Sequence, residues 1–310
     1  MKVLITGGAG FVGSHLADKF LKNNNDVTII TKKNTKNIDK IIEDVTCKKL
    51  DVENFIRLEN FIMMNKPELI IHLAGNTSHS QSFKHPFNDL NSNTKSTLNI
   101  LEIIRKHIPQ CKFVLGSTFV VVGKPQKLPV TEITTCNPTS LYGVNRLSSE
   151  YYTKIYHQIY GLNTKIFRIT NSFGPREQII PTKNAINYLI YKAFKGEDVT
   201  LYNSGKIFRD LIYISDVVLG IIQIIKKGKS GELYWISSGK KTWFYQLGGI
   251  LEKLTRTQIK YVKTPTYTKK VDVGNFVANN SKIVKLGWKP KISIEEGIKQ
   301  TLEYFRENKM

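Results

Sequence analysis

An α/β chain built on a doubly wound parallel sheet, with a smaller, mostly helical C-terminal part, is the fold class this sequence predicts. Three observations predict it. From the N-terminus to about residue 170, short apolar runs alternate with longer stretches of helical period. The runs are apolar at consecutive positions, as in parallel strands covered on both faces. After residue 170, Pro175, Pro181, Gly196 and Gly205 break the rhythm and helical stretches dominate.

Taken in order, K-V-L-I-T (2–6) is a buried strand and F-V-G-S-H-L-A-D-K-F-L-K (11–22) a helix. D-V-T-I-I-T (26–31) is the second strand and C-K-K-L-D (47–51) a short third. E-N-F-I-R-L-E-N-F-I-M-M-N (53–65) has amphipathic helical spacing. E-L-I-I-H-L-A (68–74), K-F-V-L-G-S (112–117) and T-K-I-F-R-I-T (164–170) are further strands, with helices over 86–107 and 139–160 between them. The expected division is a doubly wound part over 1–170 and a smaller part over 171–310, with 205–230 returning to the first.

The chain of 310 residues is long enough for a sizeable core, and 41% hydrophobic with 23% charged residues excludes a disordered or fibrous class. A net charge of +21 raises nucleic acid as a partner. No zinc-finger spacing, RNA-binding aromatic signature or basic tail accompanies it. The lysines are spread along the chain beside asparagines, as in K-N-N-N (22–25) and T-K-K-N-T-K-N (31–37). That is a solvated surface, or a field that draws in a small anionic substrate. No nucleic-acid partner is expected. Cys47, Cys111 and Cys136 form no CxxC, and no HExxH or other metal spacing occurs. The start M-K-V-L-I-T runs straight into glycines, and no apolar run would span a bilayer. A cytoplasmic protein with no membrane partner is the expectation.

T-G-G-A-G-F-V-G (6–13) follows the first strand and opens the first helix, with Gly7, Gly10 and Gly13 in G-x-x-G-x-x-G. Glycines allow the tight turn and let backbone approach a pyrophosphate. The helix start at Phe11, Val12 and Gly13 supplies free N–H groups and a positive dipole. A dinucleotide site is expected here. S-L-Y-G-V-N-R (140–146) sets Tyr142 one helical turn before Arg146. A fixed cation beside a phenol makes it a better proton donor or acceptor, although such a pair is also common on surfaces.

The glycine spacing resembles the extended, nucleotide-sugar-modifying branch of the short-chain dehydrogenase/reductases. Further stretches resemble it in the same order: H-L-A-G (72–75), N-T-K-S-T-L-N-I-L-E (93–102), G-S-T-F-V-V-V-G (116–123) and Y-G-V-N-R in the place of Y-x-x-x-K. R-I-T-N-S-F-G-P-R (168–176), G-K-I-F-R-D-L-I-Y-I-S-D (205–216) and L-G-W-K-P-K-I-S-I-E-E-G-I (286–298) continue the series. The match spans nearly the whole chain. It implies a Rossmann-like fold, a nicotinamide cofactor, a nucleotide-diphosphate sugar as substrate, and a homodimer built from the 86–107 and 139–160 helices.

The resemblance also implies roles. Tyr142 would exchange a proton with a sugar hydroxyl while hydride moves at the same carbon, and Thr118 would hydrogen-bond the reacting oxygen. Arg146 stands where the family has lysine; it stays charged but is larger and planar. Leu73, Ala74, Asn93, Asp51 and Val52 fall at cofactor positions. Asn171 and Arg209 would face the diphosphate, although Arg209 and Asp210 could instead form a local ion pair, and Lys269 is a weak further candidate. Phe119 and Val120 stand where dehydratases carry an acidic pair and decarboxylating relatives a glutamate, which argues against both reactions. Val122 replaces the usual tyrosine. At the end of the second strand, Thr31-Lys32-Lys33 lacks the NAD-selecting carboxylate, so NADP is favoured over NAD. The expected reaction is therefore a 4-ketoreduction. A 4-epimerase with retained NAD is the alternative, and a non-catalytic nucleotide-sugar or cofactor sensor a further one.

Overall fold

The computed structural model describes residues 1–32, 34–181, 185–263 and 272–310. Two compact units divide the chain. The first comprises Met1–Thr118, Ser140–Arg168 and Ile221–Tyr234; the second comprises Phe119–Thr139, Ile169–Gly220 and Trp235–Met310.

In the first unit the strands are β1 (Lys2–Thr6), β2 (Asp26–Thr31), β3 (Thr46–Lys49), β4 (Leu69–His72), β5 (Lys112–Thr118) and β6 (Thr164–Ile169). With Leu233–Ile236 they form a seven-stranded sheet in the order Leu233–Ile236, β6, β5, β4, β1, β2, β3. Each pairing from β3 through β2, β1 and β4 to β5 is parallel. The strand order turns back between β1 and β4, where doubly wound sheets open their ligand crevice. Helices α1 (Phe11–Leu21), α2 (Phe55–Asn65), the short α3 (His79–Lys84) and α4 (Pro86–Leu90), α5 (Ser96–His107) and α6 (Leu141–Tyr160) complete the frame. Leu4, Ile30, Ile70 and Leu115 pack with Leu58 and Ile62 of α2, Ile100 and Ile104 of α5, and Tyr156 of α6. Each such fully buried aliphatic chain contributes about 1.5–3 kcal/mol. The helix expected over 86–107 carries a π turn at Asn91–Lys95 between α4 and α5.

The second unit holds helices Ala185–Phe194, Phe244–Thr255 and Ile294–Glu307 and three two-stranded sheets. Its make-up departs from the expected division over 119–139 and 205–220, and by a few residues at 169–170 and 231–234. Residues 119–139 belong to it, because the Val130 amide donates to the Val277 carbonyl and Phe119 packs on Phe276 at 5.0 Å between centroids. Residues 205–220 belong to it as well, because Arg209 and Asp210 find their partners at Asp272, Ser238 and Ala278. Among the described residues no helix is long and apolar enough to cross a membrane.

Candidate active site

The glycine loop leaves β1 through Gly7, whose φ of +71° suits glycine. A Cβ there would lie 2.8 Å from the Ala74 nitrogen and 3.0 Å from the Leu73 carbonyl carbon, so the loop can rest on the end of β4 only without one. The Gly10 amide donates back to the Gly7 carbonyl at 2.9 Å, and Gly10 caps α1 without a side chain. The first bond inside the helix runs from the Ser14 amide to the Gly10 carbonyl. The amides of Phe11, Val12 and Gly13 lie ahead of it, at the positive end of the dipole. This is the arrangement that accepts a pyrophosphate.

His72, at the end of β4, is fully buried and held from both sides. Ser96 Oγ donates to the Ser92 carbonyl at 2.7 Å, so it accepts from His72 Nε2 at 3.2 Å, which leaves Nδ1 to accept from Thr6 Oγ1 at 2.7 Å. Burial, reinforced by the charge of Arg146, pushes its pKa down to about 3. His72 is therefore neutral at physiological pH.

Ser140 caps α6 by accepting the Gly143 amide, which sets Tyr142 in the first turn and Arg146 one turn on. Tyr142 is 5% exposed and Arg146 4%. Arg146 and Asn93, the latter on the π turn, lie buried side by side next to Gly75. Arg146 Nε and Nη1 and both polar atoms of the Asn93 amide have no hydrogen-bond partner. An unmade bond on a buried polar group costs about 1–3 kcal/mol. Four of them are a heavy cost in a fold stable by about 5–15 kcal/mol unless a ligand supplies the partners. A diol such as the ribose of a dinucleotide offers both donors and acceptors, and the residues present fit it.

Thr118 ends β5. Directly before it, Ser117 Oγ donates to Glu150 Oε1, and Glu150 also receives Arg168 Nε at 2.9 Å and Nη2 at 2.6 Å. This buried triad ties the strand end to α6 and β6. Its one trace in the sequence is an acid, Glu150, two turns after Tyr142 on the same helix.

Lys32 does not wait for a phosphate: its Nζ sits 2.6 Å from Asp51 Oδ2 and 2.9 Å from Glu53 Oε1. Partial burial lowers its pKa, but bonding to the two carboxylates outweighs this and raises it overall. The Lys32 ammonium is thus already neutralised by two acids instead of standing open at the end of β2. Lys33, the second expected cation, lies outside the described residues. Thr31 is buried, with its carbonyl accepting the Leu50 amide, and Val52 is a core residue.

In the second unit, the Asn171 amide oxygen is buried without a partner. The Arg209 fork is engaged rather than open, with Nη2 on Asp272 Oδ1 and Nη1 on the Phe208 carbonyl. Its ion pair is thus with Asp272 and not with Asp210. Asp210 accepts from the Ser238 amide and hydroxyl, the Gly239 and Ala278 amides and the Thr170 hydroxyl. Lys269 lies outside the described residues. No group of His, Cys, Asp or Glu that could hold a metal occurs among the described residues.

The profile of the family described as GDP-mannose 4,6 dehydratase matches residues 4–301. The chain belongs to that family. Its members are the extended short-chain dehydrogenase/reductases that modify nucleotide sugars, and this protein is an enzyme of that kind. A Methanocaldococcus jannaschii protein named "Putative UDP-glucose 4-epimerase" is 32% identical to it, over 99% of both chains. The crystal structure of UDP-glucose 4-epimerase from Thermotoga maritima, with UDP-glucose, is 30% identical, covers 100% of both chains and superposes with a TM-score of 0.92. UDP-glucuronic acid 4-epimerase from Bacillus cereus, solved with UDP-glucuronic acid and NAD, is 27% identical with a TM-score of 0.88, over 99% of this chain and 100% of that one.

Proposed function

We propose that the protein is a 4-epimerase of a nucleotide-diphosphate sugar that retains NAD. The observation that carries this reading is the Lys32–Asp51–Glu53 cluster. NADP, and with it a ketoreductase, would be favoured by cations without nearby carboxylates at the end of β2. With two acids within 3 Å of Lys32, the charge there favours an uncharged ribose diol. The relatives solved as 4-epimerases, one with UDP-glucose and one with UDP-glucuronic acid and NAD, support the same reading.

The bound nicotinamide supplies the hydride acceptor and donor. The residues of this chain do the rest. Tyr142 takes the proton of the C4 hydroxyl as the C4–H bond breaks, leaving a ketone, and returns it to the oxygen after the sugar has turned over. Thr118 donates to or accepts from the same oxygen, since a hydroxyl can do both. Arg146 and Asn93 hold the ribose diol. In the second unit, Asn171 remains a candidate for the diphosphate. Phe119 and Val120, directly after Thr118, carry no acid or base, so elimination of water and loss of carboxylate have no catalyst there. The exposed apolar residues Val144, Tyr151, Ile155 and Ile159 form one stripe along α6, and Phe87 and Leu90 lie exposed on α4. These faces support a homodimer. The cytoplasm is the proposed location, consistent with three cysteines that form no disulfide.

A 4-ketoreductase is the second reading, favoured by Thr31 at the end of β2, where the chain itself has no acid. The deciding experiment incubates the purified protein with UDP-glucose, UDP-glucuronic acid or dTDP-glucose without added cofactor. Appearance of the C4 epimer supports the epimerase. Turnover of a 4-keto sugar only with stoichiometric NADPH would replace it by the reductase.

A further inference from the structure

Around Tyr142 a circuit of contacts closes through residues to which neither the motif nor the family resemblance gives a role. Asn145, three positions on in α6, donates Nδ2 to Asp89 Oδ2 at 2.7 Å. The other oxygen of Asp89 accepts from Asn76 Nδ2, also at 2.7 Å. Asn76 Oδ1 in turn accepts the Ser78 amide at 3.1 Å, and Ser78 Oγ accepts the Gln81 amide as the cap of α3. That helix begins at His79, whose ring lies 5.7 Å from the Tyr142 ring, tilted by 55°. The path thus returns to its starting residue. Asp89 is 1% exposed and Asn145 8%. A carboxylate at such depth is held by directed donors, and here each oxygen faces one carboxamide.

We propose that Asp89 is a positioning residue for catalysis: it clamps the loop 76–79 to α6 and so fixes His79 against Tyr142. The proposal rests on the reading of Tyr142 as the proton-exchanging group. The carboxylate matters because it accepts on both sides. An amide in its place would turn its NH₂ toward either Asn76 or Asn145, donor against donor, and one link would open. Tyr142 would then lose the wall that holds its ring, and a misplacement of about 1 Å at a reacting group costs about 10²-fold in rate.

The test is a charge swap on the full chain. Asp89→Asn should lower kcat by about a hundredfold while KM and NAD affinity, the latter by fluorescence titration, change by less than about threefold. Hydrogen exchange at the Ser78 and Gln81 amides should accelerate. The double variant Asp89→Asn/Asn145→Asp restores the pattern of donors, since the carboxamide introduced at position 89 can accept from Asn76 and donate to the carboxylate introduced at position 145. It should recover most of the rate and the slow exchange. Unchanged kcat and exchange in Asp89→Asn would overturn the proposal. So would a loss of kcat, NAD affinity and thermal stability together that the swap does not repair. If the wild type turns over no nucleotide sugar, the epimerase reading fails on its own. Exchange then still decides the clamp: acceleration that the swap reverses supports it, and no change overturns it.

Discussion

The guanidinium of Arg146 and the carboxamide of Asn93 converge on Gly75. A Cβ placed on that glycine would lie 3.3 Å from Arg146 Nη2 and 2.3 Å from Asn93 Oδ1, and its φ of +152° also disfavours any other residue. Gly75→Ala should therefore displace Asn93 and weaken dinucleotide binding by about tenfold or more, at about 1.4 kcal/mol per factor of ten. Fluorescence titration checks it, with circular dichroism as the control for folding. Unchanged affinity would remove Asn93 and Arg146 from the cofactor site.

Arginine in the place of a lysine is accommodated rather than merely tolerated beside Gly75. Arg146 is almost wholly buried, and two of its donors await partners. A lysine there is narrower and offers its donors from one point. Arg146→Lys should lower dinucleotide affinity by about tenfold. An increase in affinity or turnover would instead mark the arginine as a poor substitute.

Tyr142→Phe removes the proton carrier and keeps the ring that packs on His79. Turnover should fall by about 10²–10⁴-fold, with NAD affinity unchanged. Retained turnover would take Tyr142 out of the mechanism.

Cofactor choice should follow the carboxylates around Lys32. Asp51→Asn/Glu53→Gln frees the ammonium and removes two negative charges from its side. The ratio of NADPH to NADH affinity should rise by about tenfold or more, and the gain should shrink with salt. No change in the ratio would locate the 2′-hydroxyl elsewhere.

Asp210 should make the stability of the second unit depend on pH. Burial raises its pKa to about 6 from 3.8, against the pull of its five donors. A carboxyl with a raised folded pKa binds its proton more readily folded than unfolded. Its contribution to stability is present in full below about pH 4 and is lost as pH rises through about 6. Urea titrations of the wild type and Asp210→Asn from pH 4 to 7 should show the wild type losing stability relative to the variant. A constant difference would refute the shift.

The strands around the glycine loop were legible because each is a continuous apolar run beside a turn, and the Tyr142–Arg146 spacing because a helix puts such residues on one face. The seventh strand, Leu233–Ile236, was not, since L-Y-W-I is too short to separate from a buried helix turn. The partners of Lys32 and Asp89 were hidden for another reason. Glu53 is 21 positions from Lys32, and Asn145 is 56 from Asp89. Pairings of that kind are made by the fold and leave no local pattern.

Helix α6 carries Tyr142 and Arg146 near one end and the exposed Ile155 and Ile159 near the other. Seventeen residues at about 1.5 Å each set Tyr142 and Ile159 about 26 Å apart on one rod. A second copy seated on that stripe would grip the rod from Val144, two residues from the reacting phenol, to Ile159 at its far end. In such a dimer, substitution at Ile159 would reach turnover from outside the site, through the seating of the helix and not through the reacting groups.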